Sequence, residues 1–230
     1  MFKNKKLLII LSVLMPVLFC IFFGASAAEK KMIILLDPAH GGKDKGLTLS
    51  SDVSEKDVTL AVALSIQKEL AAENKMQVVL TRDQDKTLDL EDRREVIEKI
   101  KPDLLMSLHV NGGFGKDAAG FEIYYPECNE KATTDKKTAK AEKTNLQNKC
   151  QSDSLKMAKI VQENMNILFP RKGRGLRKAD LPVTEGLQIP ALSVEMGFVT
   201  NAEDKKKLLA AKTQAEIAKA LAKSIKTFSR

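Results

Sequence analysis

The chain has 230 residues, 43% apolar and 30% charged, with a formal net charge of +8 and three cysteines. That size suits one domain with a full hydrophobic core and leaves no room for a second of ordinary size. The start MFKNKK, the apolar run Leu7 to Phe23 and the stretch Gly24-Ala25-Ser26-Ala27-Ala28-Glu29 follow the order of a secretory signal. Residues 1–27 are therefore read as a signal peptide and 28–230 as the mature domain. An uncleaved anchor is the alternative, since the run is long and carries Pro16, while bulky Phe19 argues against a lipid on Cys20. The signal holds Lys3, Lys5 and Lys6 and no acid, so its loss lowers the charge from +8 by three, to +5. Export argues against nucleic acid as a partner. The remaining surplus reads either as attraction to an anionic wall polymer or as ordinary solubility charge.

Lys31 to Asp37 (KMIILLD) is a short continuous apolar run closed by Pro38 and Gly41-Gly42, which predicts a strand buried on both faces. Ser54-x-x-Asp57 is a capping box, and Val58, Val62, Ile66 and Leu70 give the helix behind it one apolar stripe. Met76 to Thr81 reads as a second strand, Leu90 to Ile100 as a second helix and Asp103 to His109 as a third strand. This βαβαβ alternation predicts a single α/β domain with a mixed, mostly parallel sheet of about six strands and helices on both faces. Gly120 to Tyr125 is a fourth strand whose link to the third is too short for a helical crossover, so it should pair antiparallel or lie at an edge. Residues Glu127 to Asp153 are polar and read as an insertion outside the core. Leu155 to Leu168 resumes helical periodicity, Ala191 to Glu195 is another buried strand, and Thr213 to Phe228 is a closing amphipathic helix. Cys128 and Cys150 flank the insertion, and an oxidising destination allows a disulfide between them, with two free thiols the other reading.

The only two histidines, His40 and His109, each end a predicted strand and run into small or polar turn residues. In open α/β sheets ligands bind beyond the carboxyl ends of the strands, so the two can converge on a metal across sixty-nine positions; two unrelated turn residues is the bland reading. A hydrolytic zinc takes three protein ligands and keeps one position for water. Glu55, one residue past the Ser54 cap, is the candidate third ligand, with first-turn dipole compensation as its ordinary role. Glu195 ends an apolar strand, a setting in which glutamate is almost never fully buried unpaired. It can serve as general base, or sit in a salt bridge with Arg93 or Arg177. Asp37 is assigned to turn geometry or support of His40. The basic stretch Arg171, Lys172, Arg174, Arg177 and Lys178 reads as a solvated loop, or as the lining of a groove for a carboxylated peptide.

These residues resemble the zinc-dependent N-acetylmuramoyl-L-alanine amidases, which hydrolyse peptidoglycan. The similarity runs from about Met32 to the C-terminus through four segments in the family's order: Ile33 to Gly42 with His40; Glu55 opening a helix; Leu90-x-x-Arg93 leading into Asp103 to Asn111 with His109; and Ile189 to Asn201 with Glu195. Ala39 and Val110 stand where glycine and alanine are usual, and neither removes a functional group. The resemblance implies one Zn2+ ion on His40, Glu55 and His109, Glu195 as catalytic residue, and cleavage between N-acetylmuramic acid and L-alanine in peptidoglycan. The signal pattern predicts export to the periplasm, cell wall or extracellular space, off the membrane once the signal is removed, and the mature chain is expected to be a monomer. A noncatalytic wall-binding or regulatory relative and a zinc peptidase acting within the stem peptide are the rival readings. Some relatives carry, near the position of the insertion, a helix that blocks the site until an activator protein binds. That makes an activator a candidate partner, with Glu127, Glu130 or Glu142 able to approach the metal if residues 127–153 gate the crevice; a surface insertion is the plainer reading.

Overall fold

The computed structural model describes residues 30–128, 140–170 and 172–230, and the side chains of 140–143 fall outside that description. The signal read at residues 1–27, Glu130, Arg171 and the side chain of Glu142 therefore lie outside the described residues. Six strands form one sheet, β1 (Met32–Pro38), β2 (Met76–Leu80), β3 (Leu104–Asn111), β4 (Phe121–Tyr125), β5 (Gly173–Lys178) and β6 (Ala191–Phe198), in the order β2-β1-β3-β6-β4-β5. β4 runs antiparallel to β6, and every other pairing is parallel. The expected mixed, mostly parallel α/β sheet of about six strands is what the chain forms.

Side-chain parity explains how helices cover both faces, because successive residues of a strand point to opposite sides. Ile34 and Leu36 of β1, with Leu104, Met106 and Leu108 of β3, pack against three helices, α1 (Glu55–Leu70), α3 (Lys140–Leu168) and α5 (Ala211–Phe228). Leu35 and Leu105 point the other way, onto Ile97 of α2 (Leu90–Ile100) and onto Val183. α1 begins where its capping box says: Asp57 accepts from both the Ser54 N–H and its hydroxyl at 2.8 Å. α2 is capped by the equivalent pair, Asp89 and Asp92.

β4 pairs antiparallel with β6, one of the two placements expected for it, and β5 pairs with its other side. Two other expectations need correction. β5 itself lies in the stretch read as a solvated loop; its side chains are exposed or half-buried, as an edge strand allows. The segment placed outside the core forms the first half of α3 from Lys140 onward and reaches the core at Cys150. Cys150 there is 1% exposed and forms a disulfide with Cys128 across 6.1 Å between α-carbons, while the Ser154 hydroxyl accepts from the N–H of Ala191 at the start of β6. A short helix, α4 (Ala202–Leu209), follows an Asn201 cap.

The connection from β1 goes to β2 on one side and the chain then returns to β3 on the other. That reversal opens a crevice at the carboxyl ends of β1 and β3.

Candidate metal centre

His40 stands two residues beyond β1 in a left-handed conformation, φ 61°, which an L-residue adopts only when its surroundings impose it. The constraint is visible. Arg93 from α2 donates to the carbonyls of Pro38 and His40 and to the Asp37 carboxylate, and Arg82 donates to the carbonyls of Pro38 and Ala39. Asp37, 2% exposed, also accepts from the hydroxyls of Thr81 and Ser107. It supports His40 only through Arg93 and the backbone.

The imidazole has a closer partner, which the sequence reading missed. His40 Nδ1 lies 2.8 Å from Asp44 Oδ2. Because an ionised carboxylate only accepts, Nδ1 carries a proton towards Asp44, and in the metal-free protein Nε2 carries one towards Glu55. His40 Nε2 is 3.1 Å from Glu55 Oε2, and His109 Nδ1 is 3.3 Å from Glu55 Oε1. Glu55 is 2% exposed and anchored at both oxygens, Oε2 accepting from the N–H of Leu47 at 3.0 Å and Oε1 from that of Val110 at 2.9 Å. The two rings meet edge to face with centroids 5.8 Å apart.

One nitrogen from each histidine and one Glu55 oxygen lie within 4.8 Å of one another. Neighbouring ligands on a tetrahedral ion with ~2.0–2.1 Å bonds sit roughly 3.3 Å apart. Two imidazoles and a carboxylate at these separations can hold a divalent metal, and the donor set is one that zinc takes.

Gly46 makes the approach possible. At φ +63°, a Cβ there would come within 2.6 Å of the His40 ring and 2.7 Å of Glu55 Oε2. Gly46→Ala should lower metal affinity by about 10–100-fold, read by metal titration of the metal-free protein. Gly115→Ala is the control, since its φ of +78° carries similar strain but a Cβ meets nothing within 4 Å. Equal losses in both variants would refute the contact argument.

The charges hold one another. The bond to Glu55 leads the causes that raise the His40 pKa from 6.5 to about 9, with Asp44 adding to it. Burial alone would raise Glu55; the contacts from His109 and His40 and the two backbone N–H groups override it and bring the carboxyl from 4.5 down to about 2. In the metal-free protein the His40 interaction therefore stabilises fully below pH 6.5 and is lost as pH rises through about 9. The Glu55 contribution is present above pH 4.5 and lost as pH falls through about 2. A metal must displace the His40 proton, so affinity should climb with pH up to about 9, with release of at least one proton per ion at pH 7. Calorimetric titration in buffers of different ionisation heat measures that release, and none at pH 7 would contradict the assignment.

Glu195 stands on β6 in register with His109. Arg93 is engaged by Asp37 and Arg177 by Glu122, so neither forms the salt bridge considered for it. Among the described residues its carboxylate makes no hydrogen bond or ion pair. Burial raises its pKa to about 7, with the negative charges of Glu55 and Glu122 adding to the effect and His109 opposing it. Glu122, also missed, is in register with Glu195 from the other side. The signal for it was available, since a glutamate inside Gly120 to Tyr125 occupies the same apolar setting as Glu195. Glu127 pairs with Lys178 at 3.6 Å.

The N-acetylmuramoyl-L-alanine amidase family model matches residues 34–227, a span that includes all four of these side chains. The chain belongs to that family. Amidase AmiC of Escherichia coli O6:H1 is 25% identical over 227 residues, covering 89% of this chain and 54% of AmiC, so the chain spans about half the length of that relative. Among solved structures, amidase AmiC2 of Nostoc punctiforme superposes with a TM-score of 0.71 at 28% identity, covering 88% of this chain and 99% of that one. The amidase of Clostridium difficile 630 gives 0.71 at 26% identity, with 87% and 97% covered. The domain described above therefore corresponds to almost the whole of each of those two structures.

Proposed function

We propose that the chain is a zinc-dependent peptidoglycan hydrolase that cleaves the amide between N-acetylmuramic acid and the L-alanine of the stem peptide. The observation that carries this reading is a carboxylate, Glu195, without a hydrogen-bond or ion-pair partner among the described residues, on the strand next to a histidine of a His-Glu-His group that could hold a metal, in a chain of this family. His40, Glu55 and His109 are the proposed ligands. When bound there, zinc would polarise the scissile carbonyl and lower the pKa of a coordinated water towards ~7.

Glu195 supplies the acid–base step. Its carboxylate oxygen takes the proton of the attacking water and returns it to the leaving nitrogen, a task suited to a group poised near neutrality at about 7. A bound cation would bring that value back down, leaving the base ionised at pH 7. Asp44 holds the Nδ1 proton of His40, so Nε2 is the nitrogen left to bind the metal once its own proton is displaced, and the Leu47 and Val110 N–H groups keep Glu55 turned inward.

Export to the periplasm or wall belongs to the same proposal. The Cys128–Cys150 disulfide supports it, since such bonds persist in oxidising compartments, as does the signal pattern of residues 1–27. Among the described residues no helix is long and apolar enough to cross a membrane. An activator protein is a proposed partner, with segment 127–153 as the place where it would act.

Mass spectrometry of purified peptidoglycan digested by the zinc-loaded protein tests the reading. Free stem peptides beginning with L-alanine are expected, and their loss with a chelator should be restored by zinc. Trimmed peptides would mean a peptidase, and an intact polymer a wall-binding protein.

A further inference from the structure

Glu122 is 5% exposed and its carboxylate is saturated with donors. Oε1 accepts from Arg174 Nε at 2.8 Å and from Arg177 Nη2 at 3.1 Å and Nε at 3.3 Å, while Oε2 accepts from the Tyr124 hydroxyl at 3.0 Å and Asn111 Nδ2 at 3.1 Å. A carboxylate bound this way is a poor proton acceptor. What it does is hold two guanidinium groups, which come from β5, against the strand next to Glu195.

Those groups have capacity left over. The Arg174 and Arg177 side chains are 41% and 47% exposed. Of five N–H donors on each guanidinium, Glu122 engages one from Arg174 and two from Arg177. Arg174 also stands 5.3 Å from the centroid of the Phe198 ring, which restrains its plane. Two positive charges against one buried negative charge leave the cluster cationic.

Distance and charge both select the peptide limb of the substrate. Strands lie ~4.8 Å apart and an extended peptide advances ~3.5 Å per residue, so a chain leaving Glu195 towards β5 meets the arginines within about two residues. The glycan limb is neutral around the lactyl amide, whereas the stem peptide carries free carboxylates. We propose that Arg174 and Arg177, clamped by Glu122, form a subsite for a free carboxylate on the residue that follows L-alanine. The subsite rests on the amidase reading for the direction in which the substrate lies.

The test uses the zinc-loaded full chain and two muramoyl dipeptides that differ only in whether the second residue carries a free carboxylate or a carboxamide. Wild type should cleave the free acid with kcat/KM about tenfold higher. In Arg174→Gln, Arg177→Gln and the double variant the ratio should fall towards one. Both substrates are measured on one protein sample, so the ratio is independent of how much of a variant is folded. A wild-type ratio of one, or a ratio unchanged in the double variant, overturns the subsite and leaves the amidase reading standing. If wild type cleaves neither compound, the amidase reading fails and calorimetry decides the subsite. Tighter binding of the free acid that is lost in the double variant supports it, and equal or absent binding overturns it.

Discussion

Glu195→Gln should bind zinc with wild-type stoichiometry and lose about 10²–10⁴-fold in kcat, the range expected when a general base is removed. The expectation comes from its surroundings. No side chain among the described residues engages the carboxylate, so replacing it leaves no protein donor unpaired and removes only its charge and its capacity to carry a proton. Metal analysis of the purified variant and steady-state assay on muramoyl dipeptide provide the two readouts. Near-wild-type turnover would move the base elsewhere, and loss of metal would make Glu195 a ligand instead. In wild type, the rate should fall on the acid side as the carboxylate is protonated, at a pH below the value of about 7 that it has without metal.

Arg82→Met should destabilise the domain by about 3–5 kcal/mol, because Arg82 is 1% exposed and its guanidinium serves the backbone. It donates to the carbonyls of Pro38, Ala39, Gln84 and Lys56 and to the Thr59 hydroxyl. Methionine fills much of the volume and satisfies none of these acceptors, several of which are buried beside His40. For a chain of this size the loss corresponds to a fall in Tm of about 10 °C. Arg94→Met is the comparison: that side chain is 25% exposed and, among the described residues, reaches Pro182 and Glu185, so its loss should cost below about 1 kcal/mol. Similar melting temperatures for the two variants would show that the backbone cradle is dispensable.

How much of this can be read from sequence depends on how far away the deciding contact lies. β1, α1 and β3 carry their own instructions, an apolar run or stripe bounded by proline, glycine or a capping box, and they emerge where those instructions place them. β5 does not, because Gly173-Arg174-Gly175-Leu176-Arg177-Lys178 has one large apolar side chain and becomes a strand through the open side of β4. His40 and His109 were conspicuous as the only histidines, and Glu195 through its apolar setting. Gly46 and Arg82 were invisible for a physical reason. One is required by the proximity of His40 and Glu55, and the other by carbonyls more than twenty positions away. The basic residues of β5 could be assigned a groove but not a partner, since Glu122 reaches them only once β4 and β5 are paired.

The strand order has a consequence for when the domain becomes dangerous to the polymer it is proposed to cut. His40, Glu55 and His109 all lie within the first half of the chain, on β1, α1 and β3 and their connections, whereas Glu195 arrives on the last strand to be synthesised. That strand fits between β3 and β4, two pieces that share no other hydrogen-bonded edge. On the proposed roles, a chain lacking β6 would keep the three candidate ligands in its sequence but have no base beside them, and its sheet would be in two parts. Hydrolytic competence would then coincide with completion of the sheet.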